Sequence, residues 1–381
     1  MTRLLLHRRI ADLPAAEWDA LAGSQPFLRH AFLDAFEATG CVGEGSGWQP
    51  MHAALRDEAG ALLAAMPLYV KTHSYGEFVF DWAWAEASER AGIRYYPKAL
   101  GAIPFSPVPG LRILAHDNTH RATLLAAVID ACRDAGLSSL HVLFADDATL
   151  AAGDALGMHR RHAVQFHWLS AGETSFDDFL ARMSHDKRKK IRQERRKVSD
   201  AGVSLRWLEG REISEADWAF FVRCYETTYA LHRSTPYLTL DFFLQLGARL
   251  PDACVLVIAE RAGNPIAASL MLRDDKALYG RYWGALEYIP CLHFEACYHQ
   301  GIEYAIARGL KRFEGGAQGE HKLARGMDPV QTTSLHWLAD PRLDAAVSRY
   351  LARERDGIAQ YVDELAEHRP FRKIRSHSDP T

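Results

Sequence analysis

No two of the six cysteines form a Cys-x-x-Cys pair: Cys41, Cys132, Cys224, Cys254, Cys291 and Cys297 are scattered along 381 residues. Neither a zinc knuckle nor a disulfide framework is therefore indicated, which fits a reducing compartment. Long apolar runs are also missing. The longest, ALLAAMPLYV (61–70), covers ten residues, about half of what spans a bilayer. The three leucines of MTRLLLHRRI are too few for a signal-peptide core, so the chain reads as cytoplasmic with no membrane span. A net charge of −3 gives no global pull toward nucleic acid or anionic lipid, so any such pull is local. There is no Gly-x-Ser-x-Gly elbow, and GEGSG (43–47) lacks the strand-then-helix flanks of a nucleotide loop. HRRH (159–162) stands apart from any cysteine or acidic cluster, so no metal site is expected. What is present is ordinary for a soluble globular chain of two or three domains: 48% hydrophobic and 24% charged residues.

The chain repeats itself. FADDATLAAGDALGMHRRHAVQFHWL (144–169) aligns with FEGGAQGEHKLARGMDPVQTTSLHWL (313–338) over 26 residues without a gap, with eight identities that include Gly-Met and His-Trp-Leu. Upstream, PFLRHAFL (26–33) echoes PYLTLDFF (236–243), and AALRDEAGALLAAMPLYV (53–70) echoes LVIAERAGNPIAASLMLR (256–273). FVFDWAWAEA (78–87) echoes LYGRYWGALE (278–287), and DAGL (134–137) echoes ARGL (307–310). The order is the same in both halves, which indicates a duplication over roughly 20–170 and 210–340.

Each copy reads as an α/β layer. CVLVIAE is a buried strand, RAGN a turn, PIAASLMLR and ALYGRYWGA two further strands. Residues 292–308 place Phe294, Cys297, Tyr298, Ile302, Ala305 and Ile306 on one helical face, and Gly309 ends it. LKRFEG and TSLHWLA are two more strands. The first copy carries an extra stretch with four prolines, RYYPKALGAIPFSPVPGLR (94–112), read as a lid or groove wall, or as a rigid surface excursion.

This strand–turn–strand–strand–helix–strand order resembles the Gcn5-related acyltransferase fold. The tandem copies and RFEGGAQGEHK after the fifth strand look like the Fem-type aminoacyltransferase branch. GRYWGALEYIPCLHFEACYHQGIEYAI, followed by EGGAQGEHKLARGMDPVQTTSLHWL, is similar to FemAB-like N-acyltransferases of peptidoglycan biosynthesis or recognition. The resemblance covers about 20–375. It implies two tandem Gcn5-related (Fem-type) domains with mixed, mostly antiparallel sheets and helices on both faces. It also implies N-acyl or aminoacyl transfer to a small-molecule or peptide amine, with acyl-CoA or aminoacyl-tRNA as co-substrate and no tightly bound cofactor. WGALEYIPCLHFE departs from the Arg/Gln-x-x-Gly-x-Gly/Ala pattern of acetyl-CoA users, as Fem-type relatives also do. The boundaries expected are a first repeat at 1–170, a basic helical linker at 171–205, a second and active repeat at 206–375, and a disordered tail at 376–381.

Amide formation needs a neutral amine, an activated carbonyl and groups that move a proton and hold an oxyanion. Lys322 matches the lysine that Fem-type enzymes place after this strand, where its charge meets a phosphate or the oxyanion; otherwise it is a solvated loop lysine. His321, Glu314 and Glu295 are candidate bases, with a hydrogen-bonding loop histidine and a Glu295–Arg281 salt bridge as the bland alternatives. Gly315, Gly316 and Gly319 would bring backbone amides to an anion, Gln318 a neutral donor, and Arg325 a bidentate clamp. Tyr282 and Trp283 alternate on one strand, so one enters the core and the other lines a cleft; His293 is a further candidate. In the first copy, Thr149 to Gly153 stand where Gln318 to Lys322 stand in the second, so the polar loop belongs to the second half alone.

Between the copies, Arg182 to Lys197 holds nine Lys/Arg against two acidic residues. Ser184 or Asp186 is placed to cap this helix, Gly202 ends it, and only Ile191 and Val198 offer an apolar stripe. Lys187, Arg188 and Lys190 are the residues expected to contact phosphates of tRNA or coenzyme A. A solvated connector is the alternative. Apart from transfer, the sequence allows a non-catalytic module that binds cell-wall precursors or other phosphorylated ligands.

Overall fold

A computed structural model describes residues 2–317 and 319–371. Gln318 and the tail at 376–381 lie outside the described residues. One large sheet runs from edge to edge through both copies. Its order is Val203–Glu209, Cys254–Arg261, Asn264–Arg273, Ala277–Ala285, Arg312–Glu314, His159–Leu169, Asp328–Leu338, Ser139–Val142, Lys98–Gly101, Leu68–Lys71 and Trp48–Pro50. A second sheet orders Arg3–His7, His52–Arg56, Leu62–Met66 and Leu114–Ala115. Among the described residues two strand pairings in the large sheet are parallel, Ala277–Ala285 with Arg312–Glu314 and Lys98–Gly101 with Ser139–Val142.

The dense apolar run CVLVIA forms a strand buried on both faces. Leu256 and Ile258 join the core beneath helix Glu215–Leu231, while Val255 and Val257 pack with Ala296, Ile302 and Ala305 on the opposite face. The echoed segments near Pro26 and Pro236 lead into helices His30–Ala38 and Leu240–Arg249, which meet through Phe36 stacked on Phe242 at 4.5 Å.

The two copies exchange their last strands. His159–Leu169, from the first, pairs with Arg312–Glu314 of the second; Asp328–Leu338, from the second, pairs with Ser139–Val142 of the first. The exchanged strands pair with each other at the centre, Asp328 opposite His167 and His336 opposite His159. The offset that aligns the two sequences maps this pairing onto itself, so the duplication is visible as a local two-fold. Helix Pro341–Glu367 crosses this pair and is tied to it by Arg161–Glu354 at 2.8 Å and His159–Asp344 at 2.7 Å.

Three sequence expectations are corrected. FVFDWAWAEA is not the third strand of the first copy: residues 82–90 form a helix, Trp82–Arg90. The strand that pairs like Ala277–Ala285 is Lys98–Gly101, inside the proline-rich stretch read as an insertion. Its Lys98 is fully buried and survives there because Glu77 and Asp81 neutralise it at 2.8 and 2.5 Å. The rest of that stretch does form a groove wall, since Pro107 lines the cleft described below. The gapless alignment of 144–169 also fails at its start. Leu169 pairs with Arg312, but Leu338 pairs with Ser139 rather than Leu143, so the connections after the fifth strand differ. In the first copy Asp147–Ala155 is an α-helix; in the second, Glu320–Arg325 is a 3-10 turn. Alignment resumes at Gly157 and Gly326, both left-handed at φ +73° and +85°, where only glycine is at ease.

Candidate active site

Ala277–Ala285 and Arg312–Glu314 run in parallel only from Ala277 to Tyr279, and then diverge. Gly280 permits the last close approach, since a Cβ there would lie 3.3 Å from the Glu314 carbonyl. Beyond it the strand bulges: Leu270 faces Tyr282 and Met271 faces Gly280, which leaves Arg281 unpaired. The freed carbonyl of Trp283 accepts from the Thr228 hydroxyl at 2.7 Å. Helix Glu215–Leu231 comes so close that a Cβ on Gly284 would lie 1.7 Å from the Cys224 carbonyl. The opening between the strands is therefore held by backbone contacts on both sides.

The helix that follows is continuous but irregular. Leu292–Phe294 is α, Glu295–His299 takes a π turn, and Gln300–Ala307 returns to α. Such turns re-aim side chains and gather at functional sites. Here Cys297 and Tyr298 turn toward the opening.

The innermost cavity, about 200 Å³, is lined by Ser269, Gly280, Cys297, Phe313, Gly315 and Lys322 among others. It shares Arg281, Tyr282, Trp283, His293, Gly316 and Ala317 with an outer chamber of about 420 Å³, walled by Tyr225, Tyr229, Phe78 and Pro107. Phe78 and Ala317 in turn join that chamber to a third space of about 240 Å³ beneath the C-terminal helix. Both copies contribute, and the polar groups concentrate in the second.

Lys322 is 3% exposed. Its Nζ donates to the Gly316 carbonyl at 3.2 Å, and no carboxylate among the described residues pairs with it. Burial pushes its pKa down from 10.5 to about 8. Tyr298 packs 5.9 Å below the ammonium and shares a 3.1 Å hydrogen bond with His321 Nε2. His321 itself is exposed, and partial desolvation with nearby Arg325 and Lys322 lowers its pKa. His293, 5.4 Å from the Tyr298 ring, is pushed down by burial to about 4 and is neutral at pH 7. Burial pushes the Cys297 thiol up to about 12.

The structure thus brings together Lys322, His321, His293, Tyr282, Trp283, Gly315 and Gly316. Tyr282 and Trp283 both line the cleft, where alternation predicted one, because the bulge rotates the strand. Four other candidates point elsewhere. Glu314 sits on the opposite face of its strand from Phe313, paired with Arg312 at 2.8 Å, and burial raises its pKa to about 7. Glu295 accepts from Gln300 at 2.8 Å and pairs with Arg195 at 3.2 Å; its partner is not Arg281. Arg325 donates to Glu194 at 2.7 Å and to the His321 carbonyl at 2.7 Å, beneath the Phe294 ring. Gly319 supplies a φ of +117° that starts the 3-10 turn. Tyr298, Cys297, Ser269 and Arg281 were missed. Periodicity put Tyr298 and Cys297 on the core face of a regular helix, and nothing in it signals a π turn.

The linker helix is His185–Asp200, with Ser184 at its start and no side-chain cap. Ile191 and Val198 are buried as predicted, with Glu194 buried between them. Lys187 and Arg188 are half-buried, whereas Lys189, Lys190, Arg192, Arg196 and Lys197 are exposed. Among the described residues no metal-binding group of His, Cys, Asp or Glu exists, and no helix is long and apolar enough to cross a membrane.

Two tandem layers with exchanged last strands, each with one parallel strand pair and the second opening beside its own, define a tandem Gcn5-related architecture of the Fem type. The chain belongs to the FemAB-like family, described as peptidoglycan biosynthesis/recognition, whose model matches residues 9–373. Solved structures agree on the fold. FemX aligns with a TM-score of 0.54 at 10% identity, over 91% of this chain and 99% of that one. L-PGS from Bacillus licheniformis aligns with a TM-score of 0.54 at 9% identity, over 88% and 96%. No curated protein matches the sequence.

Proposed function

We propose that the chain transfers an acyl or aminoacyl group to an amine by direct attack, in peptidoglycan precursor metabolism. The observation that carries this reading is Lys322, a buried cation without a counter-charge among the described residues, lining a cavity at the splayed strand pair. The neutral amine attacks the carbonyl carbon of an ester or thioester and a C–N bond forms. The carbonyl oxygen becomes an oxyanion, which takes hydrogen bonds from the remaining Lys322 N–H groups. The amine's proton passes to His321, whose Nε2 lies 3.1 Å from the hydroxyl of Tyr298, a residue of the cavity wall. The carbon–oxygen or carbon–sulfur bond then breaks, and the leaving group takes that proton back from His321, which returns to its neutral form. Cys297 does not act as a nucleophile, because a thiol pushed up to about 12 carries almost no thiolate at neutral pH.

Acyl-CoA fits poorly as donor. The loop 284–291 holds no Lys or Arg, and its one charge, Glu287, is paired with Arg261. A pyrophosphate would find no cation there. An aminoacyl ester on tRNA is the better donor, with the exposed lysines and arginines of 185–200 meeting its phosphates. The test supplies the chain with a muropeptide precursor plus charged tRNA or acetyl-CoA and reads the amide by mass spectrometry. Product is expected with charged tRNA only. Product from acetyl-CoA refutes the donor assignment, and tight precursor binding with no product from either leaves the binding-module reading. That alternative draws on Glu314 and Glu295, since neither carboxylate reaches the cleft.

The pH profile follows from Lys322. Its ammonium form is lost as pH rises through about 8, so kcat is expected to fall on that alkaline limb. A profile flat to pH 10 removes Lys322 from the mechanism. Donor contact through the linker helix predicts a tRNA affinity that drops steeply between 50 and 200 mM salt, by roughly tenfold or more for a few phosphate contacts. A flat response there assigns the helix to a solvated connector.

A further inference from the structure

The bulge in Ala277–Ala285 does more than open the strand pair. In a regular strand, successive side chains point to opposite faces. Here Arg281, Tyr282 and Trp283 all line both the inner cavity and the outer chamber. The unpaired residue of the bulge is Arg281. Its guanidinium is half-buried and makes no ion pair among the described residues; the buried Glu314 carboxylate, itself paired with Arg312 at 2.8 Å, acts on it only through space. Its Nη2 donates to the Phe105 carbonyl at 2.5 Å and to the Tyr282 hydroxyl at 3.3 Å. Both acceptors are neutral. They fix the plane of the guanidinium over Tyr282, 5.0 Å from that ring, and among the described residues Nε and Nη1 take no hydrogen-bond partner. A guanidinium held flat by neutral groups and facing an open chamber is set to take a planar anion through two N–H donors.

We infer that Arg281 binds the carboxylate of an amino-acid or peptide acceptor, so that the acceptor enters as an amine carrying its own carboxylate. The chamber around Arg281 is walled by Tyr225, Tyr229, Phe78 and Pro107, and His232 and His293 also line it; His293 is neutral at pH 7, so Arg281 is the permanent cation of this lining. A singly charged carboxylate matches this one cation, while Lys322 is left for the carbonyl oxygen of the donor. The naming of the bound molecule as acceptor rests on the transferase reading. The site itself does not.

The experiment measures binding without turnover. Alanyl-alanine, alanyl-lysine and alanyl-phenylalanine, each as free acid and as C-terminal amide, are titrated into the full chain by calorimetry, with inorganic phosphate as a separate titrant. At least one acid is expected to bind about tenfold or more tightly than its amide, the scale of a charge-assisted hydrogen-bonded pair. Arg281→Gln removes that discrimination, Arg281→Lys keeps part of it, and Lys322→Met leaves it intact. Thermal melts of the three variants check that each is folded, and the Arg281→Lys result stands if Arg281→Gln is not. Equal binding of acid and amide, no binding of any acid, or loss of discrimination in Lys322→Met as much as in Arg281→Gln overturns the inference. Phosphate competing with the acids in wild type but not in Arg281→Gln would keep the anion site and overturn the carboxylate assignment. A positive result with no transfer from any donor would leave this site standing and remove the enzyme reading.

Discussion

Lys322→Met is expected to lower transfer by about 10²–10³-fold, the effect of removing one preorganised oxyanion donor, while making the protein more stable at pH 7. The two effects share a cause. Lys322 is 3% exposed and its pKa in the folded chain is about 8 against 10.5 for a free side chain. Below about pH 8 both states carry the proton, and the folded state bears the full desolvation penalty, at most roughly 3 kcal/mol. As pH rises from about 8 toward 10.5 the folded state sheds its proton first and the penalty fades. Methionine fills the same volume without charge. Denaturant melts should therefore show the variant gaining most stability at pH 6–7 and little at pH 10. Loss of stability at pH 7, or transfer within a few-fold of wild type, would mean that Lys322 is a packing residue with a partner of its own. The gain marks a group kept for function at a cost to the fold.

The duplication was legible because rare residues carry it. His167-Trp168-Leu169 and His336-Trp337-Leu338 hold equivalent places in the exchanged central strands. Exchange itself was not legible, since a strand reads the same whichever partner it pairs with. FVFDWAWAEA misled through its alternating aromatics; it contains the start of a helix, and Trp84 packs against His336 at 4.9 Å. KALG was not legible as a strand because it lies inside a stretch with four prolines, and its lysine is tolerated there only through two carboxylates outside that stretch. At the site, Lys322 was legible because the first copy lacks it. Arg281 was not, because a bulge leaves no sequence signal beyond the glycine before it.

Arg325 shows the same limit from the other side, and it carries the second large effect. Its partner Glu194 lies far away in sequence on a helix that reads as mostly wet, with only Ile191 and Val198 as an apolar stripe. Glu194 is 6% and Arg325 3% exposed, and His299 Nε2 adds a third contact at 3.1 Å. Burial alone would raise the Glu194 carboxyl; the His299 hydrogen bond and Arg325 outweigh it and hold the pKa below 4.5. Glu194→Met strands a buried guanidinium and is expected to cost about 3–5 kcal/mol, whereas Glu194→Met with Arg325→Met removes both charges and should lie within about 1–2 kcal/mol of wild type. A double-mutant cycle by denaturant melts checks this, and additive losses would show that the pair is uncoupled. The wild-type contribution of Glu194 should be full above its unfolded pKa and fade as pH falls through the lower folded value. Arg325 ends the 3-10 turn that begins two residues before Lys322, and its Nη1 holds the His321 carbonyl. Releasing Glu194 therefore frees the linker helix and the loop bearing His321 and Lys322 together. The single variants should lose transfer even where they remain folded, and the double variant should recover stability without recovering the full rate. That split separates a network that holds the basic helix against the site from one that merely fills the core.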